Sequence, residues 1–288
     1  MRPRRGTSAT GSPRRAGGAR RAATSSRSSA TEPGGAVASG CSEAPPAPAP
    51  SQPMPRVPTI GSFPLLDRAA RYFPIRRLLR EHMSPGDRLL EVGSGPFGIG
   101  WFHRCAFVGC DMEFELPPTP PLVPVIAQAR SLPFPDASFD AVVLSDVLEH
   151  VDPAARSNVL REALRVTRKL AVIGFPCGPD ALRVDRSLYQ EYRRRSLSPP
   201  RWLEEHMRNG FPDERVLDEL PGTWKVLTCS NESVRFHEWM MMSQLSFARR
   251  VAFRAALMLV PAVVERLLRY ADGTPPYRRI FVVTPASA

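Results

Sequence analysis

Leu89–Gly100 reads L-L-E-V-G-S-G-P-F-G-I-G, and the fold turns on how it is read. Leu89, Leu90 and Val92 are a short apolar run with a β-branched member, the composition of a buried strand. Glu91 stands at its end, and Gly93, Gly95 and Gly98 follow. Glycine opens backbone angles closed to other residues and lets a ligand approach the main chain without a Cβ in the way. A strand that runs into a glycine turn and then a helix start can receive a nucleotide-containing cofactor. The same pattern also serves purely structural turns, so its neighbours have to decide between the two.

Working outward, Pro85-Gly86-Asp87 is a turn into that strand. Before it, Phe63–His82 has helical character, and Pro74 is expected to break it into two pieces. After it, a helix is expected to start near Gly98. Phe107–Asp111, F-V-G-C-D, reads as a second strand ending in an acid sixteen residues after Gly95. In a βαβ unit this places the Asp111 carboxylate where two ribose hydroxyls can donate to it. Pro117, Pro118, Pro120 and Pro121 fall where a crossover helix would lie, so that helix must be very short or absent. Val123–Gln128 can then form a third strand. Phe139-Asp140 leads into a fourth, Ala141–Leu144, with Ser145 and Asp146 at its carboxyl end and Leu148-Glu149-His150 opening the next turn. Pro153 starts a helix, and Leu170–Phe175 is a fifth strand.

The composition bounds the class. The chain has 288 residues and 43% hydrophobic residues, enough to build a core. The net charge is +11, but residues 1–56 hold nine Arg against two Glu, so the remainder is only mildly basic and argues against a nucleic-acid binder. Residues 1–57, rich in Arg, Pro, Ser and Ala, are expected to be a disordered tail preceding one domain at 58–288. The five cysteines form no C-x-x-C pair, which fits reduced thiols in a cytoplasmic protein. His103, Cys105 and Cys110 lie close together, but no closing ligand set at zinc spacing accompanies them, so no metal is expected. No stretch approaches the roughly 18 uncharged apolar residues of a membrane-spanning helix.

With these residues in view, the chain resembles a class I S-adenosylmethionine-dependent methyltransferase of the type 11-like subgroup. The resemblance rests on E-x-G-x-G at Glu91–Gly95, L-P-F-P-D-A-S-F-D at Leu132–Asp140 and L-E-H-V at Leu148–Val151, and covers about residues 86–176. It implies an α/β, Rossmann-like, doubly wound, mostly parallel sheet of seven strands in the order 3-2-1-4-5-7-6, the seventh antiparallel. It also implies S-adenosyl-L-methionine as cofactor. Glu91 and the backbone of Gly93, Ser94 and Gly95 would hold its methionine part, and Asp111 its ribose. Met112 would lie against the adenine, with Gln128 and Ala129 at the adenine edge. Gln128 stands where the family usually has an acid, although its carbonyl still accepts a hydrogen bond. Ser145 and Asp146 would line the methyl-transfer side, and His150 is the leading candidate for a base, or else a brace of the turn.

The second half is less regular. Residues 177–222 lead to a sixth strand at Thr223–Cys229 and bring Tyr189, Tyr192, Trp202 and His206 either to the acceptor or into core cover. A helical insertion over about 232–275 precedes a last strand, Arg279–Thr284. Its Trp239–Met242 suit a lid or adaptable pocket. Phe247–Tyr270 mixes apolar residues with five arginines, which suits ordinary packing, a dimer contact or a peripheral contact with an anionic membrane. The expected activity is methyl transfer, at oxygen, to a small-molecule, glycan or lipid-linked acceptor. The alternatives are a non-catalytic methyltransferase-fold binding protein and an NAD(P)-dependent oxidoreductase. A nucleic-acid methyltransferase ranks low, because no N-P-P-Y-type tetrad follows the fourth strand.

Overall fold

The structure, a computed structural model, describes residues 65–286 apart from 115, 219 and 221–222. The expected tail, residues 1–57, and its boundary lie outside the described residues. In chain order come α1 (Leu66–His82), β1 (Leu89–Val92), β2 (Phe107–Asp111), β3 (Leu122–Ile126), β4 (Phe139–Ser145) and α2 (Arg156–Arg165). Then follow β5 (Thr167–Pro176), α3 (Gly178–Arg194), α4 (Arg201–Asn209), β6 (Trp224–Ser233), α5 (Val234–Gln244), α6 (Phe247–Leu259), α7 (Pro261–Leu268) and β7 (Pro276–Pro285).

The strands form one sheet of seven in the order β3-β2-β1-β4-β5-β7-β6, as the resemblance implied. β1 to β5 are parallel, and β7 runs antiparallel to both β5 and β6. The strand order reverses between β1 and β4, and ligands of open α/β sheets lie outside the carboxyl ends at such a point.

The period-two alternation of side chains divides the core. Leu89, Ala141, Val143, Leu170, Val172, Ile280 and Val282 face α1, α5 and α7. Leu90, Val92, Val142, Leu144, Ala171, Ile173, Phe281 and Val283 face α2, where Val159, Leu160, Ala163 and Leu164 supply the apolar stripe. Both faces of the central strands are buried, which explains their near-continuous apolar runs.

Two local expectations are corrected. Pro74 does not divide the first helix: α1 is continuous, with Phe73, Ile75 and Leu79 buried. Proline lacks the N–H that would bond the Ala70 carbonyl. That carbonyl instead accepts from Asn231 Nδ2 at 3.3 Å, so the break is repaired from β6. The helix expected near Gly98 is only a 3-10 turn, Gly98–Trp101, because only five residues separate it from β2. Among the described residues no helix lies between β2 and β3, as the prolines required. The uncovered edge leaves Val123 and Ile126 of β3 exposed, and Pro124 sits there on an edge strand, where a missing donor is tolerated.

The last two strands are longer than expected, because their pairing continues past the apolar core to Ser233↔Pro276. The insertion is helical, as expected, and holds α5, α6 and α7. No helix among the described residues is long and apolar enough to cross a membrane.

Candidate functional site

The glycine loop leaves β1 and is tied back to β2. Gly93 N–H donates to the Cys110 carbonyl at 2.7 Å. Gly93 is in the left-handed region, φ 74°, and a Cβ there would overlap Cγ2 of Val147, so only glycine fits between the loop and the turn after β4. The Asp111 carboxylate accepts from Gly95 N–H and from its own neighbour Met112 N–H, both at 2.8 Å. Met112 is exposed beside it.

Glu91 points inward, not into the crevice. It is buried, and its two oxygens accept from Tyr72 OH and Ile99 N–H, each at 2.7 Å. Burial pushes this carboxyl up to about 7 despite those two donors. Glu91 therefore shapes the loop through Ile99 and ties α1 to β1, and a ligand could feel it only through the loop.

At the carboxyl end of β4 the structure places an ion network that spans the chain. Asp146 accepts from Arg278 Nε at 2.6 Å and Nη2 at 2.7 Å, and lies 2.9 Å from Arg71 Nε. Burial alone would raise its carboxyl, but the two guanidiniums outweigh burial and hold it at about 2. So Asp146, expected among the catalytic groups, is a fixed anion and a poor proton acceptor. Arg278 also donates to Asn231 at 3.1 Å and to Glu232 at 2.6 Å. Asp146 and Glu232 both adopt left-handed backbone, φ 52° and 59°, a cost that the shared guanidinium offsets.

Next to it lie two histidines. Glu205 holds His150 Nδ1 at 2.8 Å, and Asp185 holds His206 Nδ1 at 2.6 Å. The rings stand 4.8 Å apart between centroids. Their neighbourhood depends on α4, which is clamped onto the Leu148–His150 turn: Asn209 Nδ2 donates to the His150 carbonyl at 3.0 Å. Arg156 bridges the Leu148 carbonyl, at 2.9 Å, and that of Gly210, at 2.7 Å. Burial first, then the neighbouring His206, lowers His150 to about 4, so its imidazole is neutral near pH 7. Burial and the charge of Asp146 push Glu149 well above the usual carboxylate range.

A family model described as a methyltransferase domain matches residues 104–174, which span β2 to β5 and the turn bearing Glu149 and His150. Over that stretch the chain is similar to a methyltransferase domain. No curated protein sequence matches the chain. Similar solved structures include the [4+2]-cyclase SpnF, with 16% identity over 75% of this chain and 81% of that one, at a TM-score of 0.41. A protein from Pyrococcus horikoshii has 16% identity over 74% and 88%, at 0.40. The CurJ carbon methyltransferase has 12% identity over 75% and 54%, at 0.42.

That family's methyl donor is S-adenosylmethionine, and the glycine loop of this chain fits such a group. A Cβ on Gly95 would meet nothing within 4 Å, so open space lies against that backbone. The Asp111 carboxylate accepts from two donors among the described residues and keeps lone pairs for hydroxyls. Gln128 fits less directly: it is exposed, and its carbonyl accepts from Arg130 Nε at 2.7 Å. Ser94 and Ser145 are buried at the loop and at the end of β4, and Ala129 lies in the turn beside Gln128.

The sequence reading missed Arg71, Glu232 and Arg278, whose only signal was charge next to a strand or on a helix face. Of the candidate acceptor contacts, His206 reaches the site, and Trp202 packs against it at 5.2 Å. Met240 is core, whereas Trp239 is half exposed against Phe236 and Phe253.

Proposed function

We propose that this protein methylates a hydroxyl oxygen of a small-molecule, glycan or lipid-linked acceptor. The observation that carries this reading is the pair of carboxylate-held imidazoles, His150 and His206, beside the glycine loop. A hydroxyl must lose a proton to be methylated, and that edge is built from groups that orient or accept one. When bound, the cofactor supplies a methyl group already activated as a sulfonium, so alignment and exclusion of water remain for the protein.

In this reading Gly93, Ser94 and Gly95 hold the methionine part through the loop that Glu91 shapes. Asp111 takes the ribose, Met112, Gln128 and Ala129 flank the adenine, and Ser145 faces the sulfonium side. Arg71 and Tyr72 of α1 bond to Asp146 and Glu91 and so fix α1 against the carboxyl ends of β4 and β1. His150 meets the acceptor as a neutral imidazole, with its Nδ1–H fixed on Glu205 and its Nε2 lone pair free to orient a hydroxyl. The catalytic domain is residues 58–288, with 232–275 as its own elaboration.

Among the acceptor classes, one observation favours the lipid-linked one. Phe247, Val251, Met258 and Leu259 of α6 and Val263 and Leu267 of α7 are exposed. Arg249, Arg266 and Arg269 are exposed along the same two helices and the turn after them. Apolar side chains edged by arginine suit the surface of an anionic bilayer. The reading is tested by calorimetric titration of the full chain with S-adenosylhomocysteine, then by a labelled-methyl screen of hydroxyl-bearing acceptors. A folded, monodisperse protein that binds no S-adenosylhomocysteine would favour the non-catalytic alternative, and one that binds NADH instead the oxidoreductase.

A further inference from the structure

We propose that Glu149, His150 and His206 bind one divalent transition-metal cation on the acceptor side of the crevice. One ligand atom from each of the three lies within 4.8 Å of those of the other two. Two of the groups are buried without partners. Glu149 is 0% exposed, and neither carboxylate oxygen has a hydrogen-bond partner on another described residue. His206 is 5% exposed, and its Nε2 has none either. Folded proteins rarely leave buried acceptors of this kind unsatisfied, and each one calls for an ion, a water or a proton.

The surroundings select the ion. Each imidazole is held at Nδ1 by a carboxylate, His150 by Glu205 at 2.8 Å and His206 by Asp185 at 2.6 Å. A carboxylate fixes the proton on Nδ1 and leaves the Nε2 lone pair to ligate, the outer-shell arrangement of metal-binding histidines. Asp185 is itself fixed by Tyr277 OH at 2.9 Å. The turn that carries Glu149 and His150 is braced by Asn209 and Arg156, so the ligands sit on an ordered frame. The His150 side chain is 29% exposed, which gives an ion a way in.

Two imidazoles and one carboxylate suit Zn2+, Co2+, Fe2+ or Mn2+, whereas Mg2+ and Ca2+ prefer oxygen throughout. Tetrahedral ligand bonds of about 2.0–2.2 Å set ligand atoms about 3.3–3.6 Å apart, so a pair at the 4.8 Å limit must draw in by roughly 1.2–1.5 Å as the side chains close on the ion. Asp146 is no ligand, because Arg278 and Arg71 occupy it. Three protein ligands leave coordination positions for an acceptor oxygen, and a cation there favours loss of the hydroxyl proton, with the ion taking over from His150 Nε2 the task of orienting that hydroxyl. That consequence rests on the methyl-transfer reading above; ion binding itself does not.

The test uses the untagged full chain, stripped with chelator and dialysed. Co2+ alone is titrated and followed by visible absorption, with Zn2+ as competitor. S-adenosylhomocysteine is titrated in parallel. The expected result is one equivalent of Co2+ displaced by Zn2+, with affinity at least tenfold weaker in Glu149→Gln and in His206→Asn. Binding of S-adenosylhomocysteine stays unchanged in both variants. If a buried variant fails to fold, His150→Gln, at the partly exposed ligand, is read the same way. No binding of Co2+ or Zn2+ by the folded wild type, or wild-type affinity in the folded variants, overturns the site and leaves Glu149 simply protonated. Co2+ binding lost in the variants, in a protein that binds no S-adenosylhomocysteine, upholds the site and removes the methyl-transfer reading.

Discussion

Replacing Glu91 with glutamine should make this protein more stable, and only above a particular pH. In the fold the Glu91 carboxyl titrates at about 7, against an ordinary value of 4.5. One pKa unit corresponds to about 1.4 kcal/mol, so ionising it in place costs ~3 kcal/mol relative to the unfolded chain. Between these two values the folded state holds the extra proton. The group's favourable contribution is whole below about pH 4.5, declines as the pH rises to about 7, and is gone above. Glutamine is neutral at every pH and keeps both contacts: its carbonyl accepts from Ile99 N–H, and its amide donates to the Tyr72 oxygen.

Urea denaturation of Glu91→Gln and wild type, without cofactor, should give equal stabilities near pH 4.5. The variant should gain up to ~3 kcal/mol by pH 8. Subtracting the wild-type curve cancels the other titrating groups, because they are common to both proteins. A difference that is the same at pH 4.5 and pH 8, or a variant less stable at pH 8, refutes the reasoning.

Arg278→Met strands Asp146 and Glu232 as buried, unpaired carboxylates, so unfolding at pH 7 should show a loss of ~3–5 kcal/mol; a loss under ~1 kcal/mol would contradict the network. Asn231→Ala leaves the Ala70 carbonyl with no donor in α1 and should cost ~1–3 kcal/mol in the same assay, and no loss would mean that α1 tolerates Pro74 unaided. Asp111→Ala should weaken S-adenosylhomocysteine binding by about 10–100-fold by calorimetry, the loss of one or two hydrogen bonds to a charged group. The double substitution Phe247→Glu and Leu259→Glu should abolish sedimentation with anionic vesicles; unchanged sedimentation, or none by the wild type, would remove the membrane-facing role of α6 and α7.

Much of the sheet was legible because its signals are local. The alternation in Leu89–Val92, Ala141–Leu144 and Leu170–Phe175 reports two buried faces, and the glycines and Asp111 mark the carboxyl ends of β1 and β2. The resemblance in Leu132–Val151 then implied the strand order. Where expectation failed, the deciding contact was remote. Pro74 looked like a helix break because the donor that repairs it is Asn231, 161 residues away.

The same division runs through the site. By itself the sequence determined the α/β class, the strand register of charge and glycine at the carboxyl ends, and the methyltransferase resemblance, because a few consecutive residues and their period encode each. Only the tertiary structure decided that Asp146 is neutralised by Arg278, 132 residues later, and that His206 lies beside His150 with its Nδ1 on Asp185. It also turned Glu91 inward and left Glu149 buried without a partner on another described residue. Backbone propensity acts over a few residues. A buried charge is satisfied by whatever the sheet order and the packing of α4 bring within about 3 Å, and no local spacing records that.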